Sequence, residues 1–239
     1  MNSKRTTEAF ILGALLFLGM AAMGFQLSSA ITRFKSLDRT VVVKGLSERD
    51  VQADIAIWPI KFDVADNDLG TLVSTIEEKN VIVLNFLQAQ GFDPKDISVS
   101  APSIIDRQAQ GYGDASRFSY RYAGSSTVSV YTRNVDLVTK TIRKLVELGK
   151  MGVAVSGENY ESKTEYLFTK LNNIKPAMIE EATTNARSVA QKFASDSKSR
   201  LGKIKTASQG QFTIENRDSN TPYIKKVRVV STLEYYLSD

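Results

Sequence analysis

Apolar residues follow three patterns along the chain: one uninterrupted run, several alternating stretches and several helical stripes. The run covers residues 9–27 (AFILGALLFLGMAAMGFQL), nineteen positions without a charge. As a helix it is about 28 Å long at roughly 1.5 Å per residue, close to the thickness of a bilayer's hydrocarbon core. We therefore predict one transmembrane helix, anchored by its larger apolar side chains and one terminal alanine. These are Ala9, Phe10, Ile11, Leu12, Leu15, Leu16, Phe17, Leu18, Phe25 and Leu27.

Two interpretations of this run remain open. Ser28-Ser29-Ala30 ends in a small residue that a signal peptidase could accept, which would make the run a cleaved signal peptide. The apolar region of a signal peptide is typically about 7–15 residues, shorter than this run. The greater length favours an uncleaved signal anchor, with a short tail at 1–8 inside the cell and the rest of the chain outside.

The remainder is predicted to form a polar connector at 28–39 and a domain at 40–239. Alternating residues predict strands at 41–43, 51–64, 97–105, 120–131, 204–214 and 227–237, with a β-rich stretch at 153–166. Pro59 inside one of them indicates an edge position or a bulge. Helical stripes follow Asn67 or Asp68 as far as Gly91, and Asp136 as far as Gly149.

The longest predicted helix contains Pro176 in its first turn, where the missing N–H costs little. Its predicted inward face is rich in small residues: Ile179, Ala182, Ala186, Val189, Ala190, Phe193 and Ala194. Helices segregate from meandering strands, so the fold class is α+β, with antiparallel hairpins and about three packed helices. A division into two subdomains is predicted near 133–152.

Composition narrows the range of chemistry. The chain contains neither histidine nor cysteine, which excludes a Ser-His-Asp triad, a Cys-His pair and histidine- or thiolate-based zinc sites. Residues 1–40 carry +3 of the formal net charge of +5, so the rest of the chain is close to neutral. Nucleic-acid binding domains usually show a concentrated basic face. We predict a protein that is not an enzyme, has no cofactor and does not bind nucleic acid.

A series of short motifs then occurs in a characteristic order. It comprises Val41-Val42-Val43-Lys44-Gly45, Asp54-Ile55-Ala56, the turn at 91–97, Tyr120-Arg121-Tyr122-Ala123, the alanine-periodic helix at 182–194 and Leu201-Gly202-Lys203-Ile204. Each motif is weak alone, but their order and spacing resemble the SIMPL-domain family of bacterial periplasmic and envelope proteins. The resemblance covers nearly all of residues 40–237.

The resemblance implies an exported α+β domain that self-associates into large ring- or channel-like homo-oligomers, with a link to envelope and oxidative stress for some members. It implies no catalytic residues. We therefore expect a single-pass protein of the bacterial inner membrane whose domain lies in the periplasm and forms a ring, channel or cage-like scaffold. Its partners are itself and the lipid bilayer. A secreted periplasmic protein, cleaved near Ala30, is the alternative location.

An alternative function is a periplasmic ligand- or peptide-binding or signalling module, for which the long loops 106–119 and 215–222 are the motivation. No small-molecule ligand is identified. A carboxylate-based hydrolase is a third and less favoured possibility.

One loop combines cations and aromatic rings and is a candidate subunit interface. Its residues are Arg107, Tyr112, Arg117, Phe118, Arg121 and Tyr122. Tyrosine and arginine are enriched at protein interfaces. Stacking on single-stranded nucleic acid and a plain hairpin loop are the other interpretations.

Three further charged clusters favour structural interpretations. Residues 66–71 lack the ligand and glycine positions of a calcium loop, which favours helix capping. The adjacent pairs Glu77-Glu78 and Glu180-Glu181 do not face one another on a helix, so solvated faces are predicted. Among Lys225, Lys226 and Arg228, alternation places the last two on one face of a strand.

Overall fold

The computed structural model describes residues 3–36, 39–109, 119–157 and 162–238; in the first helix it describes the side chains of residues 10–29. The helices are α1 (Ser3–Ser36), α2 (Leu69–Ala89), α3 (Val135–Ile142), α4 (Leu145–Lys150) and α5 (Leu171–Asp196). The strands are β1 (Thr40–Gln52), β2 (Ile55–Asp66), β3 (Ile97–Val99), β4 (Ser103–Asp106), β5 (Tyr122–Thr132), β6 (Glu165–Leu167), β7 (Arg200–Gln209), β8 (Thr213–Asn216) and β9 (Ile224–Ser238). The predicted α+β class is confirmed.

The chain forms two compact units whose segments interleave. The terminal unit comprises Met1–Glu48, Ile174–Thr213 and Arg228–Asp239, and the central unit comprises Arg49–Asn173 and Ile214–Val227. The segment 133–152, where the sequence predicted a boundary, lies inside the central unit. Periodicity identifies single elements, and it carries no information on which distant segments join one compact unit.

The central unit is built on an antiparallel sheet in the order β3-β5-β2-β6, with β4 also paired to β5. Strands β2 and β5 pair along their length, from Ala56 opposite Thr132 to Asp66 opposite Tyr122. Phe62 and Ile60 are completely buried against the sheet's packed face. Pro59 pairs with Ser129 on one side, and β6 pairs with β2 only as far as Ile57 on the other. At Pro59, β2 therefore has a strand partner on one side only, which is the predicted edge position.

Helix α2 follows the sequence prediction closely. Asp68 is the N-cap, and its carboxylate accepts the backbone N–H of Thr71 at 2.8 Å. Leu72, Ile76 and other apolar residues of the stripe are buried. Gly91 adopts φ +96° directly after the helix, a conformation that favours glycine. The capping interpretation of residues 66–71 is confirmed.

The helix predicted from Asp136 to Gly149 is instead divided into α3 and α4. The Thr141 carbonyl accepts the Lys144 N–H at 2.8 Å, a turn that ends α3. Leu148 of α4 and Val138 of α3 are both buried in the same core. The stretch 153–166 was also predicted to be rich in β-structure. Its described residues, 153–157 and 162–166, contain the start of β6 and one isolated pair, Phe62 with Val155.

The terminal unit packs α5 on a sheet in the order β1-β9-β7. The residues of α5 that are buried recur every four positions: Met178, Ala182, Ala186, Ala190 and Ala194. The predicted inward face was therefore wrong at two positions, since Val189 is 41% exposed and Phe193 is 57% exposed. The helix lies so close to the sheet that only alanine-sized side chains fit between them at most of these positions.

Candidate membrane anchor, association surfaces and cleft

Helix α1 carries the predicted anchor residues. Residues Phe10–Ser29 form a twenty-residue apolar stretch with a mean hydropathy of 2.0, none of it buried. The nine predicted anchor residues from Phe10 to Leu27 are all exposed, and Ala9 lies in α1 with its side chain outside the described residues. The helix continues to Ser36, through most of the predicted connector. Such a helix fits either a single-pass anchor or a signal sequence.

The neck of the long β4–β5 hairpin is held by an ion pair. The Arg121 guanidinium donates to both carboxylate oxygens of Asp106, at 2.8 Å and 3.2 Å to Oδ2 and 3.3 Å to Oδ1. This hydrogen bond from Arg121 holds the pKa of Asp106 below its ordinary value. The Arg121 guanidinium carbon also lies 4.8 Å from the centre of the Tyr122 ring. Asn67 accepts the backbone N–H of Arg121 at 3.0 Å.

The predicted subunit interface on this loop is thus only partly described. Tyr112, Arg117 and Phe118 lie outside the described residues. Arg121 contacts its own chain, and Arg107 lines a small cleft of about 290 Å³ beside β2 and β5. The interface role of the loop stays a prediction.

A second candidate surface, which the sequence analysis did not identify, is the face of the terminal-unit sheet opposite α5. In β1, the residues that point toward α5 are buried, and Val42 and Leu46 on the other face are 61% and 40% exposed. In β9, Tyr236 is 38% exposed on the corresponding face. The alternation signal was present in both strands, but sequence alone does not say which face a helix covers.

Charged side chains surround these apolar residues. Lys205 of β7 pairs with Glu234 of β9 at 3.3 Å and lies 5.7 Å from the centre of the Tyr236 ring. Hydrogen bonds, chiefly from the Thr40 hydroxyl and also from Lys205, lower the pKa of Glu234. Arg228 pairs with Glu48 at 3.3 Å, which accounts for one of the basic residues that the sequence placed on an exposed strand face.

Among the strands that the structure describes, β7 forms one edge of this sheet and β1 the other. Nine of the ten residues of β7 are exposed, and Leu201 is the half-buried exception. An edge strand presents backbone N–H and C=O groups that a further strand could pair with. Three cations, Arg200, Lys203 and Lys205, lie along β7.

A cleft of about 700 Å³ lies in the central unit. Its walls come from α3, from residues 163–166 and from the loop between β8 and β9. Arg143 and Lys163 are its basic lining residues, and Asp218 is its acidic one. Tyr166 and Tyr223 lie edge to face in the wall, with ring centres 6.1 Å apart.

Lys225 lies beside this cleft and was not expected to be buried. Its side chain donates a hydrogen bond to the Asn216 amide oxygen, and Asn216 lines the cleft. Burial lowers the pKa of the Lys225 ammonium group, with nearby Glu165 acting in the opposite direction. Strand alternation separates Lys225 from Lys226 and Arg228 correctly, but it does not show that the Lys225 face is the buried one.

Within the described ranges, no three acidic side chains come together as a possible metal site. A search of curated proteins finds no match. A family model described as a protein of unknown function (DUF541), the SIMPL domain, matches residues 41–231. The match spans most of the chain and includes both edge strands, α5 and the cleft residues. By this match over residues 41–231, the chain belongs to the SIMPL family.

Proposed function

We propose that this protein is a non-enzymatic, membrane-anchored envelope protein whose periplasmic domain associates with copies of itself into a closed homo-oligomer. Three observations support the proposal: the exposed apolar stretch Phe10–Ser29, the open edges of the terminal-unit sheet and membership of the SIMPL family. The open sheet edges are the observation that carries it, because they supply a physical means of association.

The two edges of the sheet are different strands, so the proposed contact can join unlike edges of neighbouring copies. Pairing β7 of one copy with β1 of the next is a heterologous contact, and such contacts close into a ring when the rotation per subunit allows it. Strand addition provides backbone hydrogen bonds, and side chains on the sheet face provide specificity. The exposed Val42 and Leu46 of β1 would bury apolar area in the same contact.

Charge favours this pairing over the symmetric one. Arg200, Lys203 and Lys205 would face like charges if β7 paired with a second β7. Lysine on an edge strand commonly prevents such pairing. In the β7–β1 contact, these three cations do not lie against the same three cations of a neighbouring subunit.

The absence of cysteine from the chain makes cross-linking a clean test. Val42 on β1 and Ser208 on β7 are both exposed, so Val42→Cys and Ser208→Cys should leave the fold intact. Ser208 pairs with Thr232, which strand alternation places on the same sheet face as Tyr236 and Val42. In full-length protein in mild detergent, we expect mild oxidation of the double variant to give a ladder of covalent multimers. Each single variant should give at most dimers.

The matched control combines Val42→Cys with Val146→Cys, since Val146 is 70% exposed and lies on α4 of the central unit, which is not a strand of this sheet. The control should give no ladder. Light scattering on the unmodified full-length chain should show a large, discrete particle. A monomeric mass, or an equally long ladder from the control pair, would contradict the proposal.

A further inference from the structure

The cleft of the central unit has the size and lining of a small-molecule site. Its volume of about 700 Å³ lies within the roughly 300–1,000 Å³ that is usual for ligand pockets. Ile142, Pro222 and Tyr223 supply apolar contact area, while Thr139, Ser219 and Asn220 supply hydrogen-bonding groups. A few polar groups on an apolar wall are the usual means of orienting a ligand.

Two cations reach this cleft from separate elements. Arg143 follows the end of α3, and Lys163 precedes β6. Both are exposed, and in the part of the chain that the structure describes neither forms an ion pair. Their charges are therefore available to a ligand.

The acidic residue of the cleft does not neutralise them. Asp218 accepts hydrogen bonds from the backbone N–H groups of Asn220 and Thr221, from the Thr221 hydroxyl and from Arg217 Nε at 2.9 Å. Its two oxygens are thus engaged within its own loop, and Arg217 balances its charge.

Buried Lys225 adds a third positive charge behind the wall. Its ammonium group donates to the neutral amide of Asn216, and Glu165 is the acidic group that acts on it. An anion in the cleft would interact favourably with all three cations.

We propose that this cleft binds a small organic anion, a carboxylate or a phosphate ester, with Arg143 and Lys163 as its direct ligands. A planar guanidinium is suited to two-point binding of either anionic group, and an ammonium adds a point charge. The Asn216 amide holds the Lys225 ammonium in place beside the site. This function is separate from self-association, which is assigned to the terminal-unit sheet.

Binding is tested by titration calorimetry on the full-length chain in mild detergent at constant ionic strength. The probes are citrate for the carboxylate class and glycerol 3-phosphate for the phosphate class, with glycerol as the neutral control. We expect saturable binding of at least one anion and none of glycerol. Whichever probe binds identifies the anionic group that is preferred.

Variants locate the site. Arg143→Gln and Lys163→Gln should each weaken binding about tenfold or more, because each removes a charge-assisted hydrogen bond. Arg143→Lys retains the charge and should bind more tightly than Arg143→Gln. Lys140→Gln removes an exposed cation of α3 that does not line the cleft, and this variant should bind the anion like the unmodified protein.

Two results would overturn the assignment. One is the absence of saturable binding of either anion up to about 10 mM, the range of very weak affinity. The other is an equal loss of affinity in Lys140→Gln, which would show a non-specific response to net charge. Melting curves without ligand confirm that each variant is folded before it is compared.

Discussion

Gly45 shows at the scale of one residue how closely the terminal unit is packed. A β-carbon added there would lie 1.9 Å from the Ala182 carbonyl oxygen and 2.5 Å from the Ala186 backbone nitrogen. Both contacts are with helix backbone, which cannot move aside as a flexible side chain could. Gly45→Ala should therefore destabilise the protein by at least the roughly 1–3 kcal/mol that is typical of overpacking, measured by urea unfolding followed by circular dichroism.

Gly149 provides the matched control for this substitution. It lies inside α4, and an added β-carbon would have no atom within 4 Å other than those of its chain neighbours and its own helix backbone. Gly149→Ala should stabilise the protein by about 0.5–1 kcal/mol, because glycine is unfavourable inside a helix. Equal effects of the two substitutions would contradict the packing argument.

Asp218 makes a prediction about pH. The Thr221 hydroxyl, then Arg217, donate hydrogen bonds that lower the pKa of Asp218 to about 2. A carboxylate whose folded pKa is depressed adds stability above its unfolded pKa of about 3.9, and that stability is lost as pH falls through the folded value. The unfolding midpoint of the unmodified protein should therefore fall between pH 4 and pH 2.

Asp218→Asn should reduce the fall of the unfolding midpoint, since an amide does not titrate between pH 4 and pH 2. The decline will not vanish, because Asp54, Asp106 and Glu234 also have lowered pKa values. Glu215→Gln, which removes an exposed carboxylate from β8 but none of these hydrogen bonds, should leave it unchanged. An Asp218→Asn profile identical to that of the unmodified protein would refute the role of the loop.

At the scale of elements, α5 shows what periodicity can and cannot predict. Four of the residues predicted to face inward, Ala182, Ala186, Ala190 and Ala194, are buried. Val189 and Phe193 were included because they are apolar and near the same stripe, yet they are exposed. Hydrophobicity identifies a broad face, whereas the distance between helix and sheet determines which side chains fit. That distance depends on residues far along the chain, such as Gly45.

Substitutions on the two faces of α5 should therefore differ. Ala186→Leu inserts a large side chain against β1 and should cost about 1–3 kcal/mol of unfolding free energy. Phe193→Ser removes a large apolar side chain from a surface position that is 57% exposed and should change stability by less than about 0.5 kcal/mol. Urea unfolding of both variants measures the difference, and a larger loss for Phe193→Ser would mean that the buried face has been assigned incorrectly.

Local signals predicted other elements with uneven success. Helix α2 was predicted to within a few residues because its cap, stripe and terminal glycine agree with one another. The division between α3 and α4 has no proline or glycine to mark it, so the stripe read as one helix. The cleft was missed for a related reason: Arg143, Lys163 and Asn216 are far apart in sequence and meet only through the fold of the central unit.

At the scale of the whole molecule, the two proposed functions are assigned to different units. The terminal unit contains α1 and both open sheet edges, so anchoring and association would belong to one unit. The central unit contains the larger core and the cleft. Because the units interleave along the chain, neither could be removed by a simple truncation, and tests of either function require the full-length protein.

The anchor itself gives the last prediction. If α1 is an uncleaved anchor, the protein should remain in membranes after carbonate extraction, with an intact mass of 26.4 kDa that includes the N-terminal residues. Leu15→Arg combined with Leu16→Arg should shift it to the soluble fraction, since each central arginine costs about 2.5–3.5 kcal/mol on insertion scales. The control Leu69→Arg changes an exposed leucine of α2 and should leave the protein in the membrane fraction. If the unmodified protein is instead soluble and lacks about 30 N-terminal residues, α1 is a cleaved signal sequence. Any assembly would then have to be held together by the domain alone.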